Sequence, residues 1–316
     1  MAAGVRGGLR LSGAPNRTGR FAPSPTGMLH LGNLRTALLA WLYARSQGAR
    51  FLLRVEDLDA GRVRPHFAAQ QLRDLQAIGL DWDGPVVRQS ERLDRFAAAL
   101  AKLEDAGAIY PCWCTRAELR EAASAPHGPL PDGHYPGTCR RLTAAQRAER
   151  EATGRPPALR IAAGAARIAF TDRVHGPQEG VVDDFVVRRS DGAFAYNLSV
   201  VVDDGAQAVG EIVRGDDLLD STPRQLWLAA RLGLPAPSFA HVPLVLGGDG
   251  ARLAKRHGSV TLGDRLDLGE NTDAVRARLA ASVGLCDPDE RPSPAELVAR
   301  FDPENFAPPP SAPLPD

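Results

Sequence analysis

The sequence predicts an α/β protein: a doubly wound, mostly parallel sheet, split by an insertion and followed by a short helical stub. Three observations carry this expectation. Strand-like and helix-like runs alternate between residues 18 and 106, and the alternation resumes between 194 and 233. The stretch between them opens at 111–140 with no regular period and an excess of Pro, Gly, Cys and His. At 316 residues and 44% hydrophobic content, the chain can form one large domain with an insertion, or two domains.

Residues 1–17 hold arginines and glycines but no apolar h-region, so a flexible tail is expected and not a secretory signal. A short strand is expected at 18–22. Leu34, Leu38, Leu39, Leu42 and Tyr43 recur at helical spacing over 31–46, and Gly48 ends that helix. "ARFLLRVED" (49–57) reads as a buried strand, with helices near 65–78 and 91–106. This β-α-β-α order implies parallel pairing, which puts functional residues at the carboxyl ends of strands. The first half of a nucleotide-binding fold is therefore expected at 18–108, an inserted domain at 109–190 and the second half at 191–250. Within the insertion, a charged helix is expected near 143–153 and short strands between 158 and 188. "FAYNLSVVVDD" and "AVGEIVRGDDLLDSTPRQLWLAARLG" restore the alternation. A loop and helical pieces are expected at 251–306. The end, "APPPSAPLPD" (307–316), is proline-rich and expected to be disordered.

Bulk properties bound the function without naming it. The 38 basic residues balance the 38 acidic ones, so affinity for nucleic acid must come from local patches. No run of about 18 apolar residues occurs, so no membrane span is expected. Four cysteines, three of them clustered, suit a reducing cytoplasm better than a disulfide scaffold. A monomer is expected.

The densest chemistry lies in "FAPSPTGMLHLGN" (21–33). Pro23 and Pro25 stiffen the chain, and Gly27 permits a tight turn. "HLGN" opens a helix whose N-terminal N–H groups and dipole suit phosphate. His30 can donate to a phosphate oxygen there, and Gly32 lets a flat ring approach the backbone. A Pro/Gly loop that merely caps a helix accounts for these residues equally well.

Ordered motifs add a family resemblance. "GRFAPSPTGMLHLGNLRTALLAWLYARSQGARFLLRVEDLD" resembles the start of class I glutamyl-tRNA synthetases, with "HLGN" as their HIGH element. "YNLSVVVDD", "EIVRGDDLLDSTPRQLWL" and "HVPLVLGGDGARLAKRHGS" continue the match over most of 19–260. The resemblance implies a class I synthetase, Rossmann-type fold. It implies ATP at His30, Gly32, Asn33 and Lys255, with Mg2+ accompanying the nucleotide and His30 and Lys255 as catalytic groups. It implies a glutamate pocket from Arg20, Phe21, Ala22, Pro23, Ser24, Glu56, Tyr196 and Arg214. The residue chemistry agrees: glutamate has one ammonium and two carboxylates, Arg20 and Arg214 can grip carboxylates in bidentate fashion, and Glu56 can hold the ammonium. Ser24 and Tyr196 supply hydroxyls. Taken singly, either arginine reads more readily as a surface charge or a structural ion pair. "ARLAKRHGS" (251–259) is similar to the KMSKS loop, with Lys255 at its second lysine, but Arg252 replaces the first lysine and Ala254 the serine.

The second constellation is "CWCTRAEL…HYPGTC". Cys112, Cys114 and Cys139 sit in a loop-rich insertion, which suits a structural zinc, although C-x-C spacing is weaker than C-x-x-C. His134 and His127 are rivals for a fourth ligand, and three plain cysteines are the simpler alternative. The C-x-C…Y-x-x-x-C set is similar to the zinc site of one subfamily, the glutamyl-queuosine tRNA(Asp) synthetases, and that similarity selects Tyr135. Arg116, Arg140 and Arg141 flank the cluster and can offset its charge. The residues after the KMSKS-like loop leave room for a helical stub, not for the anticodon-reading region of a full glutamyl-tRNA synthetase. The subfamily resemblance implies glutamate activation without tRNA, then transfer to queuosine in the anticodon arm of tRNA(Asp). Arginines 140, 141, 147, 150, 160, 188 and 189 are the candidate RNA-facing cations.

Overall fold

The structure, a computed structural model, describes residues 16–115, 117–119, 134–251, 253, 258 and 260–314. The first half is a three-stranded parallel sheet. Strand β1 (Gly19–Phe21) pairs with β2 (Phe51–Val55), and β2 pairs with β3 (Val87–Arg88). Helices α1 (Leu31–Arg45) and α2 (Pro65–Ala77) make the two crossovers, and α3 (Leu93–Asp105) leads out of the sheet. All five residues of β2 are buried, as expected for a parallel strand covered on both faces. Helix α1 is buried almost all round, because it sits inside the fold rather than on its surface.

The chain then forms a small antiparallel sheet in the order β4 (Ile109–Cys112), β5 (Ala158–Ile161) and β8 (Val186–Arg188). The expected charged helix is α4 (Ala144–Ala152), fixed by a capping box between Thr143 and Gln146. Between β5 and β8 the hairpin of β6 (Ala166–Asp172) and β7 (Gly176–Val182) reaches back to the main body, where Asp172 pairs with Phe239.

The second half contains α5 (Tyr196–Ala206), β9 (Glu211–Gly215), α6 (Thr222–Leu232) and β10 (Ser238–Val242). Strands β9 and β10 are parallel. Thr18, just before β1, accepts N–H groups of Gly210 and Glu211 and so joins the two halves. The β-branched run in "YNLSVVVDD" is helical, because Leu198, Val201 and Val202 fall on buried positions at helical spacing. The two largest of four apolar clusters among the described residues lie around α1 and around α3, α5 and α6.

Three short helices, α7 (Leu262–Asp267), α8 (Thr272–Ala281) and α9 (Pro294–Arg300), form the C-terminal part. Within the described part of the proline-rich end, two contacts reach the main body. Ala312 accepts the Leu246 N–H, and the Ser311 hydroxyl accepts the Leu244 N–H. Its lack of N–H donors at the prolines does not matter there, since the segment acts as acceptor. No helix among the described residues is long and apolar enough to cross a membrane.

Candidate active site and metal cluster

A cavity of about 430 Å³ opens at the carboxyl ends of β1, β2 and β9. The sequence-predicted residues Arg20, Phe21, Ala22, Pro23 and Ser24 line it, and so do His30, Asn33, Glu56, Tyr196 and Arg214. Lys255, Arg252 and Ala254 lie outside the described residues.

The opening loop is held from outside. The Gln71 amide on α2 donates to the carbonyls of Ser24 (3.1 Å) and Gly27 (2.8 Å). Glu56 donates its own N–H to the Pro23 carbonyl at 3.0 Å. At the start of α1, the Asn33 N–H donates to His30 Nδ1 (3.2 Å), and the Asn33 side chain accepts the His30 N–H (3.2 Å). Because Nδ1 accepts, a neutral His30 carries its proton on Nε2. The Leu31 N–H is taken by the Val260 carbonyl at 2.7 Å, so this helix end already meets the segment just after the KMSKS-like loop. Gly32 has a use other than the expected one. A Cβ there would stand 3.0 Å from His30 Nδ1 and 3.2 Å from Val245 Cβ, so the missing side chain makes room for the imidazole.

The cations differ in how much they can offer. Arg20 donates from Nε to Asp204 (3.4 Å) and from Nη1 to the Val213 carbonyl (3.4 Å), and its Nη2 makes no hydrogen bond among the described residues. Arg214 is more committed, with Nε on His241, Nη1 on Gln225, and Nη2 on Leu218 and Thr222. It also interacts with Tyr196, and its guanidinium carbon lies 5.3 Å from the Phe239 ring centroid. The bidentate grip expected of both arginines is therefore available to Arg20, while Arg214 presents one edge beside Tyr196.

Beneath the cavity lies an ion cluster that the sequence reading missed. Arg54, fully buried in β2, donates to Asp204 (2.8 Å) and Gln207 (2.8 Å) and reaches Glu56 (3.3 Å). Burial pushes the Glu56 carboxyl above its usual range, and Arg54 and Arg20 pull it back towards ionisation. The available signal was the motif itself: Arg54 and Glu56, two apart on a strand, face the same side.

Away from the cavity, the sulfurs of Cys112, Cys114 and Cys139 lie within 4.8 Å of one another. The Tyr135 hydroxyl is 3.5 Å from both Cys112 and Cys114 and accepts the Cys139 N–H at 2.9 Å. Cys112 ends β4, and Cys139 sits in the 3-10 turn Thr138–Arg141. That turn starts from Gly137 at φ 78°, where a Cβ would press on Asp184. Three soft sulfurs and a phenol converging in one small cluster fit a tetrahedral thiophilic metal. His134 is not among the converging donors and lines another cleft. His127 lies outside the described residues. Among the described residues, the cation in direct contact with the cluster is Arg160, which the sequence places with the candidate RNA-facing arginines. Arg160 donates from Nε to Cys112 Sγ at 3.3 Å, and its guanidinium carbon lies 3.8 Å from the Tyr135 ring centroid. Being 6% exposed, Arg160 is also removed from the candidate RNA-facing arginines. Arg140 pairs with Asp184, and Arg116 lies outside the described residues.

Comparison with known proteins gives consistent relatives. A sequence model of the tRNA synthetases class I (E and Q) catalytic domain matches residues 17–283. The chain is 61% identical to a glutamyl-Q tRNA(Asp) synthetase of Nocardia farcinica, over 90% of this chain and 89% of that one. It is 54% identical to the protein of the same name from Symbiobacterium thermophilum, over 90% and 92%. Among solved structures, a glutamate tRNA ligase from Elizabethkingia meningosepticum in complex with its amino acid superposes with a TM-score of 0.79. That pair shares 26% identity over 94% of this chain and 67% of that one.

Proposed function

The chain belongs to the class I tRNA synthetases of the glutamyl and glutaminyl group, and from that premise we propose that it is a glutamyl-queuosine tRNA(Asp) synthetase. It activates L-glutamate with ATP, without tRNA, and transfers the glutamyl group to queuosine in the anticodon arm of tRNA(Asp). The carrying observation is one cavity lined by Arg20, Ser24, Glu56, Tyr196 and Arg214 together with the His30-capped helix end. The acceptor rests on the names of the Nocardia and Symbiobacterium relatives.

Arg20 clamps one glutamate carboxylate, Arg214 with Tyr196 meets the other, and Glu56 takes the ammonium. The α-carboxylate is already anionic, so its attack on the α-phosphorus of ATP needs no base. The new O–P bond forms as the bond to the β-phosphate oxygen breaks and pyrophosphate leaves. His30 Nε2–H, Asn33 and the α1 end, with Gly32 giving the imidazole its place, hold the phosphates, and Lys255 offsets the charge of the departing pyrophosphate. Mg2+ bound with ATP would supply further charge neutralisation. A queuosine hydroxyl then attacks the anhydride carbonyl carbon and AMP leaves. The Cys112, Cys114 and Cys139 thiolates and the Tyr135 phenolate hold a structural zinc, which would tie β4 to the following turn. The enzyme acts as a monomer in the cytoplasm, where its tRNA resides.

The test incubates the protein with labelled glutamate, ATP and purified tRNA(Asp), with and without queuosine, and with tRNA(Glu). Label is expected only on queuosine-containing tRNA(Asp). Label on queuosine-free tRNA(Asp) or on tRNA(Glu) overturns the reading. A glutamate-dependent ATP–pyrophosphate exchange that needs no tRNA is expected alongside.

A further inference from the structure

Behind Arg214 lies a buried group that no part of the proposed chemistry uses. His241 on β10 is fully buried, as is Asp172 at the end of β6 (1% exposed). Arg214 Nε lies 3.0 Å from His241 Nε2, and His241 Nδ1 lies 2.7 Å from Asp172 Oδ2. An arginine keeps its proton, so Nε must donate and His241 Nε2 must accept. The imidazole is therefore neutral, with its proton on Nδ1 and directed at Asp172. Asp172 is itself fixed by the N–H groups of Val174 (2.9 Å), His175 (3.0 Å) and His241 (3.1 Å). Phe239 stacks on the imidazole, 5.8 Å between centroids and 8° from parallel.

The arrangement differs from that of the other cavity arginine in one respect. Arg20 contacts the Asp204 carboxylate directly, which cancels part of its charge. Arg214 is held by four neutral acceptors, His241, Gln225, Thr222 and the Leu218 carbonyl. The nearest anion along this line, Asp172, stands behind the imidazole. A neutral acceptor fixes the plane of a guanidinium without consuming its charge.

We propose that His241, oriented by Asp172, is a positioning residue for amino-acid recognition: it holds Arg214 at a fixed angle while leaving its positive charge for a substrate carboxylate. The inference rests on the reading of Arg214 as a glutamate contact. It assigns the pair Asp172–His241 to the selection of an anionic substrate.

Four variants, His241→Gln, His241→Leu, His241→Glu and Arg214→Gln, test it by ATP–pyrophosphate exchange and by calorimetric titration with glutamate, each after a thermal melt. The Leu variant, which loses the acceptor, is expected to raise KM for glutamate about tenfold and leave KM for ATP unchanged, as befits one charge-assisted hydrogen bond. The Gln variant keeps an acceptor near the position of Nε2 and is expected to restore KM for glutamate to within about threefold of wild type. The Glu variant still holds Arg214 but neutralises it, so it is expected to lose glutamate affinity at least as severely as the Leu variant. A wild-type KM for glutamate in both the Leu and Glu variants, with Arg214→Gln impaired, overturns the proposal alone. An unimpaired Arg214→Gln removes the reading of Arg214 and the proposal with it. Should the Leu variant not fold, the Gln–Glu contrast decides: equal affinities overturn the proposal.

Discussion

Arg54 carries a full charge at zero exposure, flanked by Asp204, Glu56 and, at 3.8 Å, Asp203. Its value lies less in the attraction than in what its loss would leave behind. Removing one partner of a buried ion cluster strands the others, at a cost of about 3–5 kcal/mol. Arg54→Leu is therefore expected to lower stability by about that amount, read as a lower urea midpoint at unchanged slope. Arg54→Lys keeps the charge but loses the planar fork that spans Asp204, Gln207 and Glu56 at once. It is expected to fold and to raise KM for glutamate, because Glu56, proposed to take the ammonium, loses the partner that holds it. An unchanged urea midpoint in Arg54→Leu would count against this account. Glu56 was readable in the sequence because a carboxylate at a strand end is a known way to hold an ammonium. Arg54 was readable only as far as Glu56, two residues on and on the same side of the strand. Its other counter-ions, Asp203 and Asp204, come from α5, about 150 residues away, and only the fold brings them to it.

The elements themselves were more legible than their contacts. The helix over 31–46, the strand in 49–57 and the helices near 65–78 and 91–106 follow from apolar period and from Gly or Pro at their ends, and the structure has them as α1, β2, α2 and α3. The hairpin β6–β7 was legible only as short strands, since its return to β10 depends on one long-range pairing. That pairing joins Asp172 to His241 and has a consequence for pH. Burial, foremost, lowers the His241 pKa, and Arg214 and His175 push the same way, while Asp172 opposes them. The Thr222 hydroxyl also faces the ring at 3.1 Å, and Asp216 is a further charged group that acts on it. A histidine with a depressed folded pKa contributes stability that is complete above its unfolded value, about 6.5, and is lost as pH falls towards the folded value. For Asp172, burial acts upwards, but the hydrogen bonds from His241, His175 and Val174 hold its carboxyl below the usual range, so its own contribution is lost only at lower pH. The thermal midpoint is therefore expected to fall on acidification below about pH 6.5. The slope between about pH 6.5 and 5 should be shallower in His241→Gln, which has no imidazole to protonate. An identical slope in both proteins would exclude His241 as the titrating group.

Across the whole molecule, the cysteine cluster and the cavity share one helix turn. Asp183 accepts the Tyr135 N–H at 3.0 Å with one oxygen and the Arg224 Nε–H at 2.6 Å with the other. Arg224 stands in the first turn of α6, beside Thr222 and Gln225, both of which hold Arg214. A disturbance of Tyr135 thus has a route to Arg214, through the hydrogen bonds of Asp183 and the first turn of α6. The sequence could not disclose this, because the cluster and the pocket appear in it as separate motifs, and Asp183, which links them, reads as an ordinary acidic residue in "DDFVVRR". The route makes metal removal informative. Chelation is expected to release zinc, lower the thermal midpoint and weaken glutamate binding measured by calorimetry, with ATP binding affected less. In Arg224→Met the link from Asp183 to α6 is cut, so glutamate binding should start weaker and change little when the metal is removed. Double-variant comparison isolates the coupling, since the effect of chelation on glutamate affinity should be smaller in the variant than in the wild type. Equal losses in the two proteins would mean that the cluster stabilises its own lobe and does not reach the pocket through α6.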